Sequence, residues 1–243
     1  MDPRALFAAT AQSFVDLIAA LPSPVADPVL WSSRALGVWD LRALVGHTNR
    51  ALVTVSTYAT TALQAPQTSP TPTPASEPHD ADPRPHRADP APSTAATDCT
   101  DAAGYLRTAS RSATDPDEVA ARGVTAGAAL GADPETAVAT ARDQALAALA
   151  VTPPGTRVAV VGGLHLPVEE YLRTRVVELV VHGGDIARAA TAAGTPVEAC
   201  PPEEAVVAAA VLLAEIGAHR GDGPALLAAL TGRGALPAGY SVL

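Results

Sequence analysis

YLRTRVVELVVHGGDIAR, residues Tyr171 to Arg188, carries a polar stripe through a valine-rich helix. At about 100° per residue, Tyr171, Arg175, Glu178, His182 and Asp185 fall within about 80° of one another. The other faces carry Val176, Val177, Leu179, Val180, Val181 and Ile186. A helix so apolar is expected to be buried on most sides, and a buried carboxylate beside a buried imidazole needs a partner. Helical residues four apart face the same way at about 6 Å, so Glu178 and His182 can reach one ion. Two ligands are too few for tight binding, so a third must come from a neighbouring helix. His47 is the best of the remaining histidines, because it lies at the edge of the apolar stripe of another predicted helix. Two His and one Glu make a typical catalytic zinc set that leaves a position open. Asp185 and Arg175 lie one turn to either side and are placed to orient a metal ligand or a bound substrate. The alternative is a buried Glu178–His182 or Glu178–Arg175 ion pair, which seldom gains net stability.

Further helices are predicted around this one. Asp2-Pro3 is a helix-opening pair, and Leu6, Phe7, Phe14, Leu17, Ile18 and Leu21 follow helical spacing until Pro22. A second helix is expected from about Val38 to Leu63, with Leu41, Leu44, Val45, Leu52 and Val55 as its apolar stripe. A short helix around Ala102–Ser112 precedes a longer one that Asp133-Pro134 opens and that runs to about Ala150. Arg157–Val161 and Leu164–Pro167 flank Gly162-Gly163, a two-residue hairpin signal. The polar-stripe helix follows, from about Val168 to Ala193; another leads from Pro201 to about Gly217, and a last short one spans Gly223–Leu230. The pattern predicts a mainly α protein, a four-helix bundle over 1–197 with a small β-hairpin. Residues 198–243 read as a short C-terminal helical extension.

Residues 64–98 differ in kind. Nine of the 23 prolines fall between Pro66 and Pro92, with no large apolar side chain among them. Such a segment cannot bury enough surface to offset its ordering entropy, so a disordered insert is expected. His79 and His86 within it read as solvated loop residues, His165 as an exposed strand residue, and His219 as a cation at a helix end.

The net charge is −9, and all 16 basic residues are scattered arginines. That leaves no basic face for nucleic acid and no polybasic membrane anchor. Cys99 and Cys200 make neither a disulfide framework nor a zinc knuckle. The N-terminal helix lacks a signal-peptide core, and the longest apolar run, Ala205 to Ala214, is too short to span a bilayer. A soluble cytoplasmic protein is expected. No G-x-S-x-G is present, and neither cysteine carries the marks of an activated thiolate. Gly162-Gly163 and Gly183-Gly184 do not fit phosphate-binding loops; the second pair is expected to permit close helix packing.

Trp31, GVWDLRALVGHTNRAL (Gly37–Leu52) and YLRTRVVELVVHGGDIARA (Tyr171–Ala189) together resemble the mycothiol-dependent maleylpyruvate isomerase family, part of the DinB/YfiT-like superfamily of metal-binding four-helix bundles. LTGRGALPAG (Leu230–Gly239) resembles the end of such proteins. The resemblance implies a metal trio of His47, Glu178 and His182, the three chosen from helix geometry. It also implies a divalent metal, usually zinc, that binds the thiol of mycothiol and keeps it deprotonated. In such isomerases the thiolate would add to a cis double bond, and rotation and elimination would give the trans isomer. Related bundles use the same activated thiol for S-transfer to electrophiles. Arg233 is the closest counterpart of an arginine near the family's C-terminus, which implies a substrate carboxylate contact; a simple helix-end arginine is the equal alternative. The long Pro-rich insert departs from the family pattern and points to a substrate other than maleylpyruvate.

The expected function is therefore a mycothiol-dependent metalloenzyme, isomerase or S-transferase, with a low-molecular-weight thiol and a small electrophile as partners. Two alternatives from other classes are a non-catalytic metal- or ligand-binding bundle and a protein-interaction module docking through the insert. Thiol-dependent turnover separates the first reading from both.

Overall fold

Aspartate followed by proline opens four helices in the computed structural model, which describes residues 2–64, 97–111 and 115–243. In each, the carboxylate accepts a backbone N–H of the first turn, and proline sits where no N–H is needed. These helices are α1 (Pro3–Ala19), α2 (Pro28–Trp31), α5 (Pro116–Ala129) and α6 (Pro134–Val151). Between them lie β1 (Arg34–Leu36), β2 (Trp39–Asp40), α3 (Leu41–Gln64), β3 (Thr97–Asp98) and α4 (Ala102–Arg111). After α6 come β4 (Arg157–Val160), β5 (Leu164–Pro167), α7 (Val168–Ala192) and α8 (Glu203–Gly217). A π-turn over Ala218–Asp222 then leads into α9 (Gly223–Leu230).

Helices α1, α7, α3 and α6 form a closed ring, each touching the next, which is the expected four-helix bundle. The predicted stripes of α1 and α3 are buried throughout: Leu6, Phe7, Phe14, Leu17, Ile18 and Leu21 on one side, Leu41, Leu44, Val45, Leu52 and Val55 on the other. From α7, Leu172, Val176, Leu179 and Ile186 complete the core, while Val181 stays 42% exposed. Helix α8 lies against α7, α4 and α1, and its Ala205, Ala209, Leu212 and Ile216 join the same apolar cluster. Among the described residues, no helix is long and apolar enough to cross a membrane.

The expected hairpin forms with β4 and β5 antiparallel, and Gly162 and Gly163 both take positive φ (86° and 71°), as a type I′ turn requires. Strand β3 adds to it in parallel, with Asp98 opposite His165. The hydrogen bond from the Cys99 N–H to the His165 carbonyl continues this edge, and His165 is half-buried rather than exposed. Of the expected insert, Gln64 belongs to α3 and Thr97–Asp98 to β3; residues 65–96, His79 and His86 included, lie outside the described residues.

Two further departures matter for the site. Helix α3 begins at Leu41 and not at Val38, because the Asp40 carboxylate accepts the Ala43 N–H at 2.8 Å and so caps the helix there. Trp39 is thereby left in a small β1–β2 hairpin that turns at Gly37 (φ 57°). Helix α5 was not expected at all. Its only large apolar residues are Val119 and Val124, too few to show a helical period. It packs instead through glycine: a Cβ on Gly46 of α3 would stand 2.1 Å from the Gly127 nitrogen, and one on Gly127 would meet the Arg42 carbonyl oxygen at 2.8 Å. The two backbones touch directly. At the Gly183-Gly184 pair, by contrast, the nearest atoms to an added Cβ are at 3.8 Å and 3.5 Å, so the close packing expected there is not found.

Candidate metal centre

Helices α3 and α7 pack against each other and bring His47 to face Glu178 and His182. One ligand atom from each of the three lies within 4.8 Å of the others. The His182 Nε2 is 3.3 Å, and the His47 Nε2 3.9 Å, from the same Glu178 oxygen, Oε2. Ligands at about 2.0–2.2 Å from a tetrahedral ion lie about 3.4 Å apart, so the Glu178–His182 spacing matches such a pair and His47 stands slightly farther out.

The protonation pattern also fits. Asp185, the buried carboxylate of α7, sits 2.9 Å from the His182 Nδ1. A carboxylate only accepts, so Nδ1 holds the proton and the Nε2 lone pair is turned toward Glu178. A lone pair facing a carboxylate at 3.3 Å needs a cation between them, either a second proton or a metal. Burial acts to lower the His182 pKa, but hydrogen bonds and charges from Glu178 and Asp185 raise it above the ordinary value. Burial holds His47 down at about 4, with Glu178 acting upward and His182, Arg50 and Arg175 downward. It is therefore neutral at pH 7, the form that binds metal. For Glu178, burial acts upward, yet the His182 hydrogen bond and the charges of Arg175, His182 and His47 bring it to about 2.

The two histidines are oriented by different means. Asp185 fixes His182 and gives its other oxygen to the exposed Arg188. His47 is held by a ring: the Trp39 indole lies 4.4 Å from it between centroids, tilted by 34°. Trp39 is itself anchored by α5, since its N–H donates to the Ala120 carbonyl at 3.0 Å and a Cβ on Gly123 would come within 2.5 Å of its ring. Thus α5 supplies no ligand and still sets where His47 points.

A cavity of about 130 Å³ opens beside His47 and Glu178. Tyr58, Tyr105, Tyr171, Arg50, Arg122 and Arg175 contribute to its wall. Arg175 lies 4.7 Å over the Tyr171 ring and 3.8 Å from Glu178 Oε1, so it neutralises the carboxylate from the side away from His47 and His182's shared oxygen. Tyr171, the first residue of the stripe, is buried, and its hydroxyl contacts Thr54 Oγ1 at 2.7 Å.

Of the residues singled out by sequence, His47, Glu178, His182, Asp185 and Arg175 come together. Arg233 does not line this cavity; it is exposed beyond α9 and donates to the Thr231 carbonyl at 3.3 Å. His219 is exposed, 4.0 Å from Glu215. Sequence reasoning missed Trp39, Arg50, Tyr58, Tyr105 and Arg122. Arg50 was within reach, being one turn from His47 on the same helix; Tyr105 and Arg122 depend on how α4 and α5 dock.

No curated protein and no solved structure matches the chain. Residues 100–187 match the family described as the mycothiol maleylpyruvate isomerase N-terminal domain. That stretch holds Arg175, Glu178, His182 and Asp185, whereas His47 and Arg233 lie outside it. The match supports, over its span, the mycothiol maleylpyruvate isomerase family as the one this chain resembles.

Proposed function

We propose that this chain is a metal-dependent enzyme that uses mycothiol as its thiol cofactor, acting on a small electrophile as an isomerase of the maleylpyruvate type or as an S-transferase. One observation carries the reading: two histidines and a glutamate from two helices converge within 4.8 Å in a chain that matches the mycothiol-related family. His47, Glu178 and His182 would hold a divalent ion, zinc being favoured by the donor set. Such an ion lowers the pKa of a bound thiol, so the sulfur is nucleophilic near neutral pH. Asp185 would keep the His182 ring in the ligating tautomer, and Trp39 would keep the His47 ring in place. Arg175 would hold Glu178 ionised, and the tyrosine-lined wall would limit water around the reacting sulfur. Residues 1–197 would form the metal-binding bundle and 198–243 an extension laid against it.

Elemental analysis of purified protein tests the centre. Near one equivalent of zinc per chain is expected in the parent and close to none in His182→Ala; equal contents would remove the site. Turnover should require an added low-molecular-weight thiol and persist in the Cys99→Ser, Cys200→Ser double variant, since both cysteines are free and neither lines the cavity. Activity that needs no thiol and vanishes in that variant would make a protein cysteine the nucleophile. Metal binding without any thiol-dependent turnover would favour the non-catalytic bundle.

A further inference from the structure

We infer that the outer face of α8, α9 and the tail that follows them is a docking surface for a second copy of this chain, which pairs with it about a two-fold axis. The pairing needs nothing from the metal centre.

Sequence and burial disagree on this face. Ala205–Ala214 of α8 and Gly223–Leu230 of α9 contain no polar side chain. A helix that is apolar all round is normally a buried one. Yet α8 buries only Ala205, Ala209, Leu212, Ile216 and Gly217, and α9 buries none of its residues. Val207 is 54%, Val211 57%, Leu227 65% and Leu230 78% exposed. Between the two helices, α7 and the tail lies a cavity of about 720 Å³. Val181, Val211, Leu226, Leu230 and Val242 contribute to its wall, and every side chain lining it is uncharged.

The surface is preformed. A Cβ on Gly217 would stand 2.7 Å from Leu226 Cδ1 and 3.0 Å from Val242 Cγ1, so α9 and the tail are seated directly on α8. The Tyr240 hydroxyl donates to the Asp222 carboxylate at 3.0 Å, and Arg220 donates to the Ser241 carbonyl at 2.7 Å, which ties the tail down.

Area identifies the occupant. An unfolded chain exposes about 1.45 Å² per dalton, or roughly 140–165 Å² for a Val or Leu residue. On that scale Val181, Val207, Val211, Leu227, Leu230 and Leu243 together offer roughly 550 Å², most of it apolar. A standard dimer takes about 800 Å² from each partner, of which about 65%, or ~520 Å², is apolar in homodimers. The exposed face meets that requirement. Shape and charge point the same way. Val207 and Val211 stand one turn apart on α8, as do Leu227 and Leu230 on α9, so two aliphatic ridges flank the hollow. About a two-fold axis a ridge of each copy enters the hollow of the other, the self-complementary arrangement of an isologous contact. With a net charge of −9 on each copy, two chains approach at least cost through an uncharged face. A small apolar molecule in the hollow would leave Val207 and Leu227, which lie outside it, in water. Residues 65–96 contain no large apolar side chain, so that segment has nothing to place there.

Sedimentation equilibrium and native mass spectrometry of the full chain, over about 1–100 µM, test the pairing, since contacts of this size range from micromolar to far tighter. The parent is expected at twice the 24.5 kDa chain mass. Val211→Glu and Leu230→Glu each bury an unpaired charge on both sides of the contact and should weaken the dimer about 100-fold or more. Both side chains are more than half exposed in the single chain, so the far-UV circular dichroism should match the parent. Leu230→Ala adds no charge and should weaken the dimer about 10-fold, which serves where a glutamate variant fails to fold. Val25→Glu, at a residue 79% exposed between α1 and α2, should leave the dimer intact. A parent that stays at 24.5 kDa throughout, whether bare or carrying a small molecule, overturns the inference. So does a dimer that both glutamate variants leave intact.

Discussion

Helices α5 and α7 both pack on α3, and they do so in opposite ways. Helix α7 meets it with side chains: Glu178 and His182 face His47, and Tyr171 reaches Thr54. Helix α5 meets it with the lack of them, Gly46 against Gly127 and Gly123 against the Trp39 ring. Chemistry at the site comes from the first contact, but its geometry depends on the second, because Trp39 positions the His47 imidazole. A residue can thus shape a candidate metal centre by having no side chain.

The largest effect is expected where that second contact is tightest. A methyl group on Gly46 would stand 2.1 Å from a backbone nitrogen and 2.4 Å from a backbone carbon of α5, atoms that no rotamer change can move. Gly46→Ala should therefore cost about 3 kcal/mol or more, the upper end for overpacking. For a chain of this size that corresponds to a fall of about 6–12 °C in Tm, read by thermal denaturation. Zinc affinity should fall with it, because residue 46 precedes His47. An unchanged Tm would mean that the helices do not touch backbone to backbone.

The same contrast explains what could be read from the sequence. Helix α7 announces itself, because a polar stripe within valines marks both the helix and the candidate site on it. His47 follows from its place beside the Leu41–Val55 stripe. The hairpin follows from Gly162-Gly163, whose backbone conformation few other residues adopt. Helix α5 carries the same Asp-Pro opening as α1 and α6, at Asp115-Pro116, yet its alanines and glycines show no period. Its partner is also remote in sequence, so the meaning of Gly123 and Gly127 emerges only once α3 lies beside them. Arg50 and Arg122 were hidden for the same reason: a scattered arginine reads as surface until the wall it joins is assembled.

An intermediate effect is expected at Asp185, which does for His182 what Trp39 does for His47. Asp185→Asn keeps the size and leaves an amide that can still accept from Nδ1, but it removes the charge that polarises the ring. Zinc affinity, measured by competition with a chelator, should fall about 10- to 100-fold, the range for partners that orient a metal ligand. The carboxylate is also bound to Arg188, whose side chain is 73% exposed, and loss of that contact alone is worth at most about 1 kcal/mol of stability. Full zinc affinity in the variant would therefore confine Asp185 to the Arg188 contact and leave His182 oriented by packing alone.

The smallest effect is expected at the other glycine pair, and its sign is reversed. Gly183 lies within α7, and a Cβ there would find Leu17 Cδ2 at 3.8 Å and Ala199 Cβ at 3.9 Å, ordinary van der Waals distances. No positive φ is required at this position. Glycine within a helix costs up to about 1 kcal/mol relative to alanine, chiefly through the freedom of the unfolded chain. Gly183→Ala should thus stabilise the protein by about 0.5–1 kcal/mol, raising Tm by about 1–4 °C. Zinc content should stay at the parent value, because residue 183 points about 100° away from His182 around the helix. The two alanine substitutions then differ in sign as well as size, although each lies beside a histidine of the proposed metal trio. If Gly183→Ala instead lowered Tm as far as Gly46→Ala, α1 and α7 would be packed as closely as α3 and α5. The distinction between a contact made by side chains and one made by their absence would then be lost.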